Sequence, residues 1–386
     1  MSTHKAMVVY GTRPEAIKLA PVIQELDRSP WLTVCPVVTG QHRAMLDQVN
    51  ALFGITPAHD LDVIQPRQQL HEVTGRVLAG ITEVIRAERP DLVVVQGDTT
   101  TTFVAALAAF YEKVPVVHVE AGLRTLHRYD PFPEEINRRM TSQLASLHLA
   151  PTATSRQNLL DDGIAAHDVA VTGNTVIDAL LHVVGRDHAA VDDPALASAL
   201  EKRQPLVLAT SHRRESWGQP MARTAAALAR LAKEFTDVCF LLPAHLNPTV
   251  RDVLLPPIEG LPNVVVTEPL SYTDFSRAMA ECRLVVTDSG GVQEEAPSLG
   301  KPVLVLRDTT ERPEAVAAGT VRLVGTDEDL IVKEVSRLLT DPAAYDEMAH
   351  AVNPYGDGRA SLRIRAAVEE FIGVGRREPD WEGRVA

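Results

Sequence analysis

Short apolar runs alternate with helix-length segments from one end of this chain to the other, and the pattern starts again half-way along. Residues 6–10, 34–38, 92–95 and 114–119 are rich in β-branched side chains and almost unbroken by polar ones. Such runs belong to parallel strands covered on both faces. Segments 14–28, 68–88 and 101–112 between them have helical length, and 144–150 and 169–171 continue the first half. Residues 205–210 then repeat the part of the first strand, with a helical stretch at 221–235 and strands at 239–243, 264–267, 284–287 and 302–306. A chain of 386 residues exceeds one ordinary core and suits about two domains of roughly 150–200 residues. The pattern predicts an α/β protein of two Rossmann-like, doubly wound domains facing a cleft. The first is expected over residues 1–171 with a returning segment 364–386, the second over 172–363. Segment 185–204 reads as a polar loop, and the charged tail 376–386 as frayed.

The net charge of −13 excludes nucleic acid and anionic membrane as partners. A phosphorylated small molecule stays compatible if the basic groups that hold it are concentrated locally. No stretch reaches the roughly 20 apolar residues of a membrane span. The short apolar run near the start reads as a buried strand rather than a signal peptide. Three cysteines, Cys35, Cys239 and Cys282, have no metal-type spacing, and their odd number argues against a disulfide framework. A cytoplasmic protein with buried thiols and no metal is expected.

In open α/β sheets ligands bind beyond the carboxyl ends of the strands, so the residues that follow each strand matter most. The first strand leads into Gly11-Thr-Arg-Pro-Glu-Ala-Ile-Lys18, which sets Arg13 and Lys18 near a helix N-terminus that favours anions. Arg13 paired with Glu15 on the surface is the plainer alternative. No dinucleotide fingerprint follows. Gln96-Gly-Asp-Thr-Thr-Thr-Thr102 puts Asp98 where a helix cap would also stand. Val119-Glu-Ala-Gly-Leu-Arg124 sets Glu120 directly behind a buried run, where a carboxylate has no obvious structural use. The two prolines of Tyr129-Asp-Pro-Phe-Pro-Glu-Glu135 deliver Glu134 and Glu135 to a first helical turn, which also suits the helix dipole. Three carboxylates at one sheet edge repel, which raises the pKa of at least one of them, as at general acid–base sites.

The second half supplies the complement. Thr210-Ser-His-Arg-Arg-Glu215 places His212 at a strand end, with Arg213 and Arg214 suited to phosphate. Ala244-His-Leu-Asn-Pro248 offers His245 either as a site residue or as a loop histidine. In Thr287-Asp-Ser-Gly-Gly-Val-Gln-Glu-Glu295, Ser289, Gly290 and Gly291 open a helix whose N–H groups can hold phosphate, with acids one turn inside for ribose hydroxyls. Thr309-Thr-Glu-Arg-Pro-Glu314 adds Arg312.

Taken together and in order, these motifs resemble the non-hydrolysing UDP-N-acetylglucosamine 2-epimerase family. The resemblance runs from Gly11 to about Glu314. It implies the glycosyltransferase-B architecture, a homodimer, a UDP-sugar substrate and no redox cofactor. It also implies reversible conversion of UDP-GlcNAc to UDP-ManNAc through elimination of UDP to a 2-acetamidoglucal, in service of cell-surface polysaccharide. By motif position Asp98, Glu120 and Glu134 are the acid–base candidates, and His212 aids the departing UDP. Arg13, Lys18 and Arg213 would meet phosphate, Ser289, Gly290 and Gly291 the pyrophosphate, Glu295 the ribose, Arg312 the sugar, and Phe275 the uracil. Gln41, His42, Arg67, Gln68 and His245 match an activating second site, although Ala44 replaces the glutamine that activated relatives carry there. Hydrolytic epimerases that release ManNAc, and epimerases of related UDP-acetamido sugars, share the motifs. A glycosyltransferase of the same fold needs fewer acid–base groups than this chain has.

Overall fold

The computed structural model describes residues 3–40, 43–63, 65, 68–125, 127–186 and 191–383, without the side chains of residues 43–45 and 215. By its contacts the chain forms two compact units. One comprises Met1–Ala179 with Tyr355–Gly383, and the other Leu180–Pro354. The expected junction at 171/172 and the expected return at 364 both fall inside the first unit.

The first unit is built on a seven-stranded, wholly parallel sheet: β1 His4–Tyr10, β2 Leu32–Val38, β3 His59–Asp60, β4 Leu92–Gln96, β5 Val116–Val119, β6 Leu147–Ala150 and β7 Val169–Val171. Their order is β3-β2-β1-β4-β5-β6-β7. The winding direction reverses between β1 and β4, and there the loops that leave the two strands diverge and open a crevice. The strands are buried on both faces, as their β-branched runs require. Met7, Val9, Val37, Val93 and Val95 pack with Val77, Ile81, Val104 and Ala108 of the covering helices.

The second unit repeats the plan with six parallel strands: β8 Leu206–Thr210, β9 Cys239–Pro243, β10 Val264–Thr267, β11 Leu284–Thr287, β12 Val303–Val305 and β13 Val321–Leu323. Their order is β10-β9-β8-β11-β12-β13, so the reversal falls between β8 and β11. Val207, Phe240, Leu242, Val286 and Leu304 form its core with Leu228, Leu231, Ile331 and Val335.

Two expectations need correction. Segment 185–204 contains a helix, Pro194–Glu201, whose N-cap Asp193 accepts the Leu196 N–H at 2.8 Å. Asp-Pro is an N-cap followed by a favoured first helical residue, and that signal outweighs the polarity around it. The tail is also not frayed through residue 381. The Val171 N–H donates to Asp380 Oδ1 at 3.0 Å, and the Trp381 N–H donates to the Val171 carbonyl at 2.8 Å, with the indole buried. The tail thus satisfies edge strand β7, which would otherwise present open backbone groups. The helix Ala360–Phe371 packs on Arg13–Asp27, with Arg365 3.0 Å from Glu25. No helix among the described residues is long and apolar enough to cross a membrane.

Helix Ala360–Phe371 starts without a cap of its own. Buried Asp178, from helix Thr175–Val184, takes that part by accepting the Ala360 N–H (3.1 Å), the Ser361 N–H (2.8 Å) and the Ser361 hydroxyl (2.5 Å). Asp178→Ala strands these donors and should cost about 1–3 kcal/mol of stability, measured by urea unfolding.

Candidate functional site

Across the first reversal point the loops after β1 and β4 are joined by one buried carboxylate. Glu15 accepts the Gly11 and Thr12 N–H groups at 3.0 and 2.7 Å, and the Thr99 and Thr102 hydroxyls at 2.6 and 3.0 Å. Desolvation raises its pKa even against these four donors. The alternative of a surface pair with Arg13 is therefore wrong: Glu15 is 2% exposed, and Arg13 stands exposed beside it.

Glu120 follows β5 with φ +62°, left-handed backbone that few side chains adopt. Its carboxylate is clasped by Lys18 Nζ (2.5 Å) and Asn174 Nδ2 (2.9 Å) on Oε1, and by the Gln96 amide on Oε2. Lys18, expected to meet phosphate, thus lies on Glu120. Asp98 pairs with Arg138 at 2.6 Å. Its pKa is nevertheless raised, chiefly by burial, with the charge of Glu120 adding to it and Arg138 and Lys18 opposing. The two glutamates at the start of helix Glu134–Leu144 divide. Glu135 is fully buried and accepts from Thr125 N (3.0 Å) and Arg139 Nε (2.8 Å). Burial pushes its pKa up, and Arg139, Thr125 and Arg138 more than reverse that. Glu134 is half-buried, and its side chain makes no hydrogen bond or ion pair among the described residues.

In the second unit the reversal is also bridged by a buried carboxylate, at Asp288 just after β11. Its Oδ2 accepts the His212 N–H (2.8 Å), the Arg213 N–H (2.9 Å) and the Ser211 hydroxyl (3.1 Å), and its Oδ1 lies 3.2 Å from His212 Nδ1. Burial lifts a carboxyl, yet His212 and these N–H groups hold Asp288 below the ordinary range. With Nδ1 turned to Asp288, the Nε2 of partly exposed His212 is left for a ligand. His245 stacks on His212 with ring centroids 6.1 Å apart, and its Nδ1 accepts the Asn247 N–H.

Ser289 caps the helix Gly290–Glu295 without a side-chain bond. A β-carbon at Gly290 would stand 3.0 Å from the Arg312 guanidinium, so that arginine lies close against the glycine. Arg312 itself is held by Glu294 and Glu311, each at 2.8 Å. Glu295 Oε1 accepts from the Tyr272 hydroxyl at 3.3 Å, and Phe275 is half-buried on the same helix, Tyr272–Glu281.

A family model described as UDP-N-acetylglucosamine 2-epimerase matches residues 24–369. The Escherichia coli K12 protein of that name is 51% identical over 372 residues, covering 95% of this chain and 98% of its own. This chain belongs to the UDP-N-acetylglucosamine 2-epimerase family.

Solved structures of the family agree with the fold. A crystal structure from Listeria monocytogenes superposes with TM-score 0.93 at 45% identity, covering 98% of this chain and 100% of the other. One from Neisseria meningitidis, bound to UDP-GlcNAc, gives 0.86 at 47% identity and covers 95% and 99%. The glycosyltransferase-B arrangement of two parallel-sheet α/β domains is that of these UDP-N-acetylglucosamine 2-epimerases.

Asp98, Glu120 and Lys18 share one neighbourhood, and His212, Arg213, Asp288 and His245 share another. Of the residues matched to an activating site, Gln41, His42 and Arg67 lie outside the described residues. Gln68 spends its amide on its own loop, accepting from Gln65 N and donating to the Val63 carbonyl. The sequence reading passed over Asp288, Gln96 and Asn174. Asp288 carried the same signal as Glu120, a carboxylate directly behind an apolar run, whereas Asn174 carries none until the chain is folded. Among the described residues one group of metal-type side chains lies elsewhere, Cys35, His59 and Glu88, but Glu88 is already held by Lys5 and His59 at 2.8 Å each.

The depressed pKa of Asp288 fixes a sign. It contributes stability that is complete above the ordinary 3.8 of a free aspartate and is lost as pH falls through the lower native value. The stability gap between wild type and Asp288→Asn should therefore be widest near neutral pH and close in acid, followed by urea unfolding at a series of pH values.

Proposed function

We propose that this protein interconverts UDP-GlcNAc and UDP-ManNAc without hydrolysis. What carries the reading is the carboxylate group of the first unit, Asp98 with a raised pKa beside the clasped Glu120, in a chain of this family. The Neisseria relative bound to UDP-GlcNAc supports the substrate.

The chemistry balances without a redox partner. A carboxylate takes the C2 proton as the C2–H pair forms a C1=C2 bond and the C1–O bond breaks, leaving 2-acetamidoglucal and UDP. A second carboxylic acid then gives a proton to the opposite face of C2 while UDP oxygen returns to C1. Asp98, Glu120 and Glu134 are the groups for these two steps. Asp98, whose pKa burial raises, suits the donor, and Glu120, paired with Lys18, suits the acceptor. His212, oriented by Asp288, serves the departing diphosphate, with Arg13 and Arg213 as further phosphate ligands. Ser289, Gly290 and Gly291 hold the pyrophosphate, Glu295 the ribose, Arg312 the sugar and Phe275 the uracil. We further infer a cytoplasmic homodimer, as the resemblance implies.

The test is incubation with UDP-GlcNAc in deuterated water, followed by NMR. Deuterium should enter C2 and UDP-ManNAc should accumulate. Unlabelled substrate with no UDP-ManNAc overturns the reading, and free ManNAc appearing instead establishes hydrolysis. Glu120→Gln should turn over roughly 100- to 10,000-fold more slowly while still binding UDP.

A further inference from the structure

His118 takes no part in the chemistry proposed above, yet it lies on β5 two residues before Glu120 and is fully buried. Its Nε2 is 2.7 Å from the Gly97 carbonyl oxygen. A carbonyl only accepts, so Nε2 carries the proton. Nδ1 has no hydrogen-bond partner among the described residues. Desolvation pulls its pKa down to about 3, with Arg124 and the neighbouring His148 acting in the same direction, so the ring is neutral near neutral pH.

That single hydrogen bond is well placed. Gly97 adopts φ +72°, and a β-carbon on it would stand 3.4 Å from Glu120 Oε2, so the turn abuts the carboxylate itself. The Gly97 N–H donates to the Val119 carbonyl at 2.9 Å. Strand β5 therefore grips Gly97 at both ends, through its backbone on one side and through the imidazole on the other. The residues flanking Gly97 are Gln96, whose amide binds Glu120, and Asp98, which feels the charge of Glu120.

We propose that His118 is a positioning residue, whose hydrogen bond to Gly97 fixes the turn that carries Gln96 and Asp98 and so sets the separation of the Asp98 and Glu120 carboxylates. The inference rests on the acid–base reading of those two groups. A glycine peptide without this anchor has more backbone freedom than any other. A small displacement of reacting groups is costly, since about 1 Å loses about 100-fold in rate.

Two variants separate positioning from packing. His118→Phe keeps the ring volume without a donor, and His118→Gln restores an N–H near the place of Nε2. The phenylalanine variant should lose about 100-fold in kcat with KM little changed. Its pH–rate profile should move, because the charge of Glu120 raises the Asp98 pKa by an amount that depends on their separation. The glutamine variant should recover most of the rate and the original profile. Rates are normalised to UDP-binding sites counted by calorimetry, which removes misfolded protein from the comparison. Crystal structures of both variants read the turn independently of activity, with Gly97 and Asp98 displaced in the first and restored in the second. If His118→Phe does not fold, His118→Asn, whose shorter amide falls short of Gly97, takes its place. Unchanged kcat and profile, an undisplaced turn, or equal loss in both variants with an unmoved profile overturns the proposal. A wild-type protein that does not epimerise overturns the acid–base reading instead, and the position of the turn in the crystals then decides the role of His118 alone.

Discussion

Each sheet of this protein is bridged at its reversal point by one buried carboxylate, and the loops that carry the candidate residues of that unit are tied to it. At a reversal point adjacent parallel strands send their connections to opposite faces. On one side of each reversal point the first backbone N–H groups of the connection need an acceptor. Glu15 answers this between β1 and β4, and Asp288 between β8 and β11. In both cases a single buried carboxyl group gathers several donors. The outcomes differ with the donors. Glu15 draws two hydroxyls and two amides and its pKa still rises, whereas Asp288 draws an imidazole as well and its pKa falls.

The same economy separates structural from available acids. Glu135 and Glu15 have their oxygens occupied, and both are nearly inaccessible. Glu134, one residue from Glu135, has none of these bonds and lies part-exposed. A helix turns about 100° per residue, so neighbours at its start point in different directions. The dipeptide thus supplies one acid that is built into the fold and one that stays part-exposed.

Much of this was legible in the sequence, for reasons that can be named. Strands buried on both faces read as unbroken β-branched runs, which is why β1, β2, β4, β5, β8, β9 and β11 stand out. The two-residue β3 and three-residue β13 are too short to carry any period, and they are defined only by pairing with β2 and β12. Charged residues behind apolar runs stand out by contrast, so Asp98, Glu120 and His212 were readable. His118 was not, because a histidine inside a run of valines reads as one more core position. Lys18 reads as an anion ligand from its helix position, and only the fold brings its ammonium to Glu120. Trp381 sits in a charged tail where local composition says nothing of the open edge of β7 that it covers.

Glu120 has a further consequence for anyone who would engineer this chain. Its left-handed backbone costs about 1–2 kcal/mol for a residue with a β-carbon. A procedure that scored folding alone would put glycine there. It would then take the shared carboxylate from Lys18, Gln96 and Asn174, and nothing in such a score would keep these polar side chains, since deleting both sides of a polar contact together is nearly neutral. Stability-guided redesign would therefore erase all four positions as one unit. They should be frozen together before any such optimisation starts.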